Sequence, residues 1–175
     1  MEIRECPLQI GGGKLVNDPV LADNFLSNNE EVNAWLRSST YYGDVHLDNS
    51  EIKETVDYVD KIFANAKLKD EGTLYRGVSF RTEKELNDFI DTNIVFTGGV
   101  YKDKGFAFTN TGKVYDTYTG VYSVVFEYEG AKGLPHTALD KGWHSDVRII
   151  NRNTPFKVAS VTKDGTKYHV KLTRM

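Results

Sequence analysis

The sequence DVRIINRNTPFKV, residues 146–158, contains two short apolar runs separated by a turn. The apolar runs are rich in β-branched and aromatic residues, and the Asn, Thr and Pro between them are typical of turns. We predict two consecutive strands here, over residues 143–150 and 156–162. Asp146 opens the apolar part of the first strand, where a carboxylate can hydrogen-bond a sugar hydroxyl or stabilise a developing cation. An aspartate in a turn is the alternative.

Trp143 and His144 come just before this apolar run. His144 and Asp146 are two positions apart, so their side chains share a face if the segment is extended. A neutral imidazole in this place can act as a base. The alternative is a packing tryptophan beside a turn.

Further upstream, the sequence LYRGV, residues 74–78, places an arginine inside an apolar strand. A buried guanidinium is costly unless it is paired or faces a ligand. Gly77 follows Arg76 and allows a second backbone or a ligand to come close. Two interpretations stay open: an arginine that binds a ligand, or an edge-strand arginine in a structural ion pair.

Between these two places lies GFAFTNT, residues 105–111, an alternating apolar strand that ends in three small polar side chains. On a strand, Thr109 and Thr111 point to one face and Asn110 to the other. Hydroxyl groups there can orient a ligand or a carboxylate. A strand end followed by a turn is the alternative.

The chain divides into a helical N-terminal part, residues 1–70, and a β-rich part, residues 73–175. Apolar residues recur at helical spacing over residues 20–36 and 50–66. Short β-type runs separated by turn residues follow, with one helix among them. This order predicts an α+β fold, with residues 1–175 as a single domain.

The composition excludes several classes of protein. The chain has 22 Lys plus Arg against 25 Asp plus Glu, a net charge of −3, which argues against nucleic-acid binding by bulk charge. The single cysteine excludes an intrachain disulfide, and the four histidines show no metal-ligand spacing, so we expect no metal. No apolar stretch approaches the ~20 residues of a membrane helix. The N-terminus has no signal-peptide pattern, so we expect a soluble protein in the cytoplasm of the producing or host cell, with no membrane partner. We also expect a monomer.

The order and spacing of the three motifs resemble the R-S-E class of mono-ADP-ribosyltransferases, a family that includes bacterial toxins, vertebrate ecto-enzymes and phage enzymes that modify host proteins. LYRGV resembles the family's arginine strand, and residues 108–111, FTNT, resemble its F-[ST]-[ST]-[ST] strand. Residues 146–158 resemble its closing E-V-L-L-P-x-G-T-x-F-x-V stretch. The resemblance covers residues 73–172. It implies the ADP-ribosyltransferase fold: N-terminal helices followed by a two-sheet, mostly antiparallel β core that binds NAD.

The resemblance also implies roles for the first two motifs. Arg76 would bind the NAD phosphates, for which a planar and permanently charged guanidinium is suited. Gly77 would contact the nicotinamide amide through its backbone. Thr109 would position the catalytic acid and the nicotinamide ribose, and Asn110 and Thr111 would support this NAD-binding strand.

Asp146 takes the position of the family's catalytic glutamate, with a side chain one methylene shorter. It would hydrogen-bond the ribose 2′-hydroxyl as nicotinamide leaves. Trp143 and His144 would lie on the loop that meets the acceptor. His144 stands where the family usually has Glu or Gln, a position that helps to select the acceptor side chain.

The function implied is NAD-dependent transfer of ADP-ribose to a protein side chain with release of nicotinamide. NAD would be the substrate, and the partners would be acceptor proteins of a host cell, as for a phage enzyme or a bacterial effector. One alternative is a weak or inactive domain of the same fold that binds NAD or a protein. Another is a NAD glycohydrolase, in which water takes the place of the acceptor.

Overall fold

The computed structural model describes residues 17–94, 98–113, 120–139 and 144–175. No helix within these ranges is long and apolar enough to cross a membrane. The helices are α1 Pro19–Ser27, α2 Asn29–Arg37, α3 Asn49–Asn65 and α4 Glu83–Asn93, with a short 3-10 helix at His136–Ala138. The strands are β1 Thr73–Phe80, β2 Val100–Lys102, β3 Ala107–Asn110, β4 Tyr122–Glu129, β5 Leu134–Pro135, β6 Val147–Ile150, β7 Pro155–Asp164 and β8 Lys167–Arg174.

Three of the helices begin at a side chain that caps them. Asp18 accepts hydrogen bonds from the first backbone N–H groups of α1. Asp48 and Glu51 form a capping box at the start of α3. Thr82 accepts from the backbone of α4. The helical spacing over residues 20–36 and 50–66 is confirmed as α1, α2 and α3.

The strands form one sheet in the order β2-β7-β8-β4-β1-β3-β6-β5. Among the described strands, β4 and β8 pair in parallel and the other pairings are antiparallel. The prediction of a two-sheet, mostly antiparallel core is therefore wrong in the number of sheets: the described strands form one mixed sheet. β1 pairs with β4 along its whole length but meets β3 at one register position, where Tyr75 lies opposite Asn110. That single pairing joins two groups of strands into one sheet.

Hydrophobic side chains cover both faces of the sheet. Ile149 and Ile150 are neighbours in β6 and belong to different clusters, because successive side chains on a strand point to opposite faces. The cluster that contains Ile149 joins the sheet to α1, α2 and α3. The cluster that contains Ile150 joins it to α4. In β1, Leu74 belongs to the cluster that joins the sheet to α4, whereas Gly77 and Ser79, whose positions face the other side, are exposed.

Candidate functional site

Arg76 lies in the middle of β1, on a central strand of the sheet. Its Nη1 donates a hydrogen bond of 3.1 Å to Oδ2 of Asp103, and its side chain is 17% exposed. Burial opposes the charge of Arg76, but the Asp103 carboxylate raises its pKa overall. The structural ion pair left open by the sequence therefore exists, on a central strand instead of an edge strand. This ion pair keeps a charged guanidinium largely buried against a face of the sheet.

Asp103 also binds a second arginine, Arg37, from the last turn of α2. Arg37 donates through Nε and Nη2 to the two carboxylate oxygens at 2.8 and 2.9 Å. The backbone N–H of Gly105 donates to Oδ1 at 2.8 Å. Burial alone would raise the pKa of Asp103, but the charges of Arg76 and Arg37 hold it below its usual value. We call Arg37, Arg76 and Asp103 the arginine cluster.

The loop before β3 is fixed against α2. The amide of Asn33 donates to the carbonyl of Phe106 at 3.0 Å and accepts from its N–H at 2.7 Å. Arg37 is one helical turn further on, so it reaches the same loop. A Cβ on Gly105 would lie 2.7 Å from Nε of Arg37 and 2.8 Å from Oδ1 of Asn33. Glycine at position 105 is therefore what allows α2 to approach this loop.

Two buried tyrosines, Tyr101 and Tyr128, lie beside the arginine cluster. Burial raises the pKa of Tyr128 to about 12 and the pKa of Tyr101 well above its usual value of 10.0. Both side chains therefore stay neutral at physiological pH. The cluster itself has two positive charges and one negative charge, so it is suited to an anionic ligand.

Two cavities adjoin at the arginine cluster, and Arg37 and Arg76 line both. The first has a volume of about 260 Å³ and is lined mainly by polar groups and aromatic rings, among them Asn29, Asn33, Tyr75, Gly77, Phe108 and Asn110. The second has a volume of about 440 Å³ and is more apolar, with Val78, Phe80, Phe89 and Tyr101 among its lining residues. Lys102 and Lys104 add positive charge to the second cavity.

The three polar residues predicted on β3 occupy different places. Thr109 is fully buried, and its hydroxyl donates to the backbone carbonyl of Arg148 at 2.7 Å. Asn110 lines the first cavity together with Arg76 and Gly77. Thr111 is exposed and its N–H donates to the carbonyl of Asp146 at 2.9 Å. The structure thus brings Arg76, Gly77 and Asn110 to one cavity, while the two threonines contact β6 and the turn before it.

Asp146 is exposed and lies in a tight turn that leads into β6. The N–H of Val147 donates to the carbonyl of His144 at 3.0 Å, and His144 has a φ of 54°. The expectation that His144 and Asp146 are extended and share a face is therefore wrong, because the chain turns between them. Arg148 stabilises this turn by donating through Nη1 to the carbonyl of Ser145 at 2.7 Å.

The sheet places this turn close to the arginine cluster. Tyr75, Asn110 and Val147 lie in one row across the adjacent strands β1, β3 and β6. Arg76 and Asp146 lie one residue to either side of that row, with β3 between their two segments.

The residues expected to meet an acceptor are described only in part. Trp143 lies outside the described residues. The imidazole of His144 packs against that of His136, with ring centroids 5.0 Å apart. Both line a further cavity of about 440 Å³, to which α1 contributes Asp23 and Ser27.

The sequence patterns do not indicate four residues of this region: Asn33, Arg37, Asp103 and Arg148. Asn33 and Arg37 are four positions apart, and this spacing places them on one face of α2. This shared face, together with Asp103 just before Gly105, is a sequence signal that could have indicated the contact between α2 and the loop before β3.

No family model matches the chain, and no curated protein is significantly similar to it. Solved structures of several ADP-ribosyltransferases do match. The Vis toxin of Vibrio splendidus has 15% identity and a TM-score of 0.65, over 91% of this chain and 73% of that one. An ADP-ribosyltransferase of Clostridium botulinum has 13% identity and a TM-score of 0.62, over 95% of this chain and 89% of that one.

Exoenzyme S of Pseudomonas aeruginosa, in complex with human 14-3-3 protein beta and carba-NAD, has 14% identity and a TM-score of 0.65, over 88% of this chain and 70% of that one. The similarity in each case extends over most of both chains, at low sequence identity. The helices and the sheet that hold the arginine cluster and the turn of Asp146 make up most of this chain. The chain therefore has the ADP-ribosyltransferase fold.

Proposed function

We propose that the protein is an NAD-dependent mono-ADP-ribosyltransferase, which transfers ADP-ribose from NAD to a protein side chain and releases nicotinamide. The observation that carries this proposal is the pair of cavities that adjoin at Arg37 and Arg76. A dinucleotide has two nucleosides joined by a diphosphate. Two guanidinium groups suit the diphosphate, and a cavity on each side suits a nucleoside.

The lining of the two cavities favours one orientation of NAD. The first cavity has the amides of Asn29, Asn33 and Asn110 and the backbone of Gly77, which suit the donor and acceptor groups of the nicotinamide carboxamide. The second cavity has the aromatic rings of Phe80 and Phe89, which suit the adenine. In this orientation the nicotinamide lies near Asn110 of β3, which pairs with Val147 of β6.

Asp146 is proposed as the residue in the position of the catalytic acid. In the reaction, the bond between ribose C1′ and the nicotinamide nitrogen breaks, and its electron pair goes to nicotinamide, which becomes neutral. Positive charge develops on the ribose, and the Asp146 carboxylate stabilises it while hydrogen-bonding the 2′-hydroxyl. The acceptor side chain then forms a bond to C1′ and loses a proton, which His144 can accept.

The exposed position of the turn suits a reaction with a large acceptor. We propose that the acceptor is a protein of a host cell, and that Trp143 and His144 contact it. Two structures with the same fold support a site of this kind. One structure of Vis contains agmatine, which has a guanidinium group, and the structure of exoenzyme S contains carba-NAD.

Thr109 is proposed to position Asp146 indirectly. Its hydroxyl holds the carbonyl of Arg148, two residues after the acid, and Arg148 in turn holds Ser145. Asn110 ends the strand next to this turn, and the N–H of Thr111, just after the strand, donates to the carbonyl of Asp146. A shift of about 1 Å in a catalytic group can cost on the order of 100-fold in rate.

The test is the release of nicotinamide from NAD by the purified protein, with Asp146→Ala as the variant. We expect the rate to fall by about 100-fold or more in the variant, because the developing positive charge loses its carboxylate. Asp164→Ala removes an exposed aspartate of the β7–β8 hairpin and is the matched control, with an unchanged rate expected. No release by the wild-type protein with a host-cell extract as acceptor would contradict the proposal.

A binding protein on the same fold is the second candidate, and the shorter side chain of Asp146 is the observation that favours it. Asp146→Glu separates the two functions. In a weak enzyme this variant extends the carboxylate towards the ribose and raises the rate, whereas in a protein that only binds NAD it releases no nicotinamide. Labelled ADP-ribose that appears free, and not on protein, would identify a NAD glycohydrolase.

A further inference from the structure

We propose that Asp103 is a positioning residue, which holds Arg37 and Arg76 side by side so that both guanidinium groups bind the diphosphate of the dinucleotide. This inference rests on the proposed function and adds two residues to its substrate site. Arg37 becomes a second diphosphate-binding residue, and Asp103 acts through the two arginines.

The carboxylate of Asp103 is held by four hydrogen bonds. Oδ1 accepts from Nε of Arg37 and from the N–H of Gly105, and Oδ2 accepts from Nη2 of Arg37 and Nη1 of Arg76. The side chain of Asp103 is 11% exposed. A carboxylate in this position cannot rotate without losing several charge-assisted bonds. Its orientation therefore fixes the orientation of both guanidinium groups.

Each arginine keeps donors for a ligand. A guanidinium has five N–H groups, and Asp103 uses two nitrogens of Arg37 and one of Arg76. Both residues line the two cavities that adjoin at the cluster. An anion that lies between the cavities can therefore meet N–H groups of both arginines.

Holding the arginines in advance favours binding. A free arginine side chain loses rotamer freedom when it binds a ligand, and that loss weakens the affinity. In this protein the loss occurs on folding, because Asp103 joins α2, β1 and the loop before β3. The diphosphate then binds groups that are already ordered.

The charge of Asp103 provides a sharp test, because a positioning role and a purely electrostatic role predict opposite results. Asp103→Asn removes one negative charge next to the proposed anion site. By Coulomb's law alone, the variant would bind an anion more tightly than the wild-type protein. If Asp103 positions the arginines, the variant binds more weakly, because both guanidinium groups lose their common partner.

The experiment measures the binding of inorganic diphosphate and of NAD to the wild-type protein and to Asp103→Asn. We expect at least about a tenfold loss of affinity for both ligands, and in the nicotinamide assay a rise in KM that exceeds the fall in kcat. The control is Asp60→Asn, because Asp60 also binds an arginine, Arg152, through two hydrogen bonds, of 2.9 and 2.7 Å. The control is expected to keep both affinities. Unchanged or tighter binding by Asp103→Asn would overturn the inference.

A measurement on the wild-type protein keeps the test valid if the variant does not fold. The guanidinium NMR signals of Arg37 and Arg76 are both expected to shift when inorganic diphosphate is added. A shift confined to one arginine, or no shift, would overturn the inference. Diphosphate binding that depends on Asp103 in a protein that releases no nicotinamide would support the inference and reject the proposed function. Nicotinamide release by the wild-type protein, together with an unchanged KM in Asp103→Asn, would support the proposed function and reject the inference.

Discussion

The arginine cluster and the turn of Asp146 lie on either side of one row of residues across β1, β3 and β6, and they are held in different ways. Asp103 is largely buried and is fixed by side chains from α2 and β1 and by the backbone of Gly105. Asp146 is exposed, and its turn is held by hydrogen bonds to backbone carbonyl groups, which come from the backbone and from the side chains of Thr109 and Arg148. One end of the proposed site is thus fixed by ion pairs between buried side chains, and the other by hydrogen bonds to the backbone of a turn.

This difference fits the two parts of the proposed reaction. The diphosphate is the same in every turnover, so an ordered pair of guanidinium groups can bind it without adjustment. The acid must act where a large acceptor enters, and an exposed turn leaves room for it. We therefore expect changes in the arginine cluster to alter substrate binding and stability, and changes around Asp146 to alter the rate.

The largest effect is expected for Arg76→Ala. The variant loses the guanidinium that lies between the two cavities, and Asp103 keeps its bonds to Arg37 and to the N–H of Gly105. We expect kcat/KM for nicotinamide release to fall by about 100-fold, which corresponds to about 2.7 kcal/mol of transition-state stabilisation. The affinity for NAD, measured by calorimetry, should account for most of this loss.

Arg152→Ala is the matched control for Arg76→Ala, because Arg152 is also paired with an aspartate, Asp60, outside the two cavities. We expect its kcat/KM to match that of the wild-type protein. Loss of kcat at unchanged NAD affinity in Arg76→Ala would contradict the assignment of this residue to the diphosphate.

A smaller effect is expected for Thr109→Val, which tests how the turn of Asp146 is held. The buried hydroxyl of Thr109 holds the carbonyl of Arg148, so its loss should loosen the turn of Asp146. We expect kcat for nicotinamide release to fall by about tenfold with little change in KM. The free energy of unfolding should fall by about 1 kcal/mol, as measured with urea.

Thr55→Val is the control for Thr109→Val. Thr55 is also fully buried and its hydroxyl donates to a backbone carbonyl, that of Glu51, at 2.7 Å. Its variant should lose similar stability and keep its kcat. The variant Thr109→Ser should restore the wild-type rate. Equal losses of kcat in the Thr109 and Thr55 variants would show that the effect is one of stability alone.

The elements of the fold could be predicted from the sequence to a large extent. Helical spacing and β-type runs are local signals, and the arginine inside the strand at residues 73–80 is an anomaly that the sequence displays directly. The single sheet could not be predicted, because it depends on one pairing between Tyr75 and Asn110. The turn at His144 was also missed, because a positive φ in a residue other than glycine has no clear sequence signal.

The arginine cluster could not be predicted for a different reason. Its three residues come from α2, β1 and the loop before β3, and they are separated by 39 and 27 positions. Arg37 and Asp103 have ordinary local contexts, and only the tertiary structure brings their charges next to Arg76. A buried ion pair of this kind depends on geometry, which residue spacing along the chain does not specify.

The smallest effect is expected for the free energy of unfolding at acid pH. It tests whether the charge of Asp103, in addition to its burial, holds the arginine cluster together. The pKa of Asp103 in the folded protein lies below its usual value of 3.8, because the attraction of Arg76 and Arg37 outweighs the effect of burial. The stabilisation that ionised Asp103 provides is therefore complete above that usual value, and it is lost as the pH falls through the pKa of the folded state.

Urea unfolding of the wild-type protein and of Asp103→Asn, from about pH 7 to about pH 2.5, measures this loss, because the other carboxyl groups are common to both proteins. We expect the wild-type protein to be the more stable at neutral pH and the difference to narrow only at the acid end. A difference that stays constant over the whole range would mean that the charge of Asp103 does not contribute to stability, and that burial and shape alone hold the cluster.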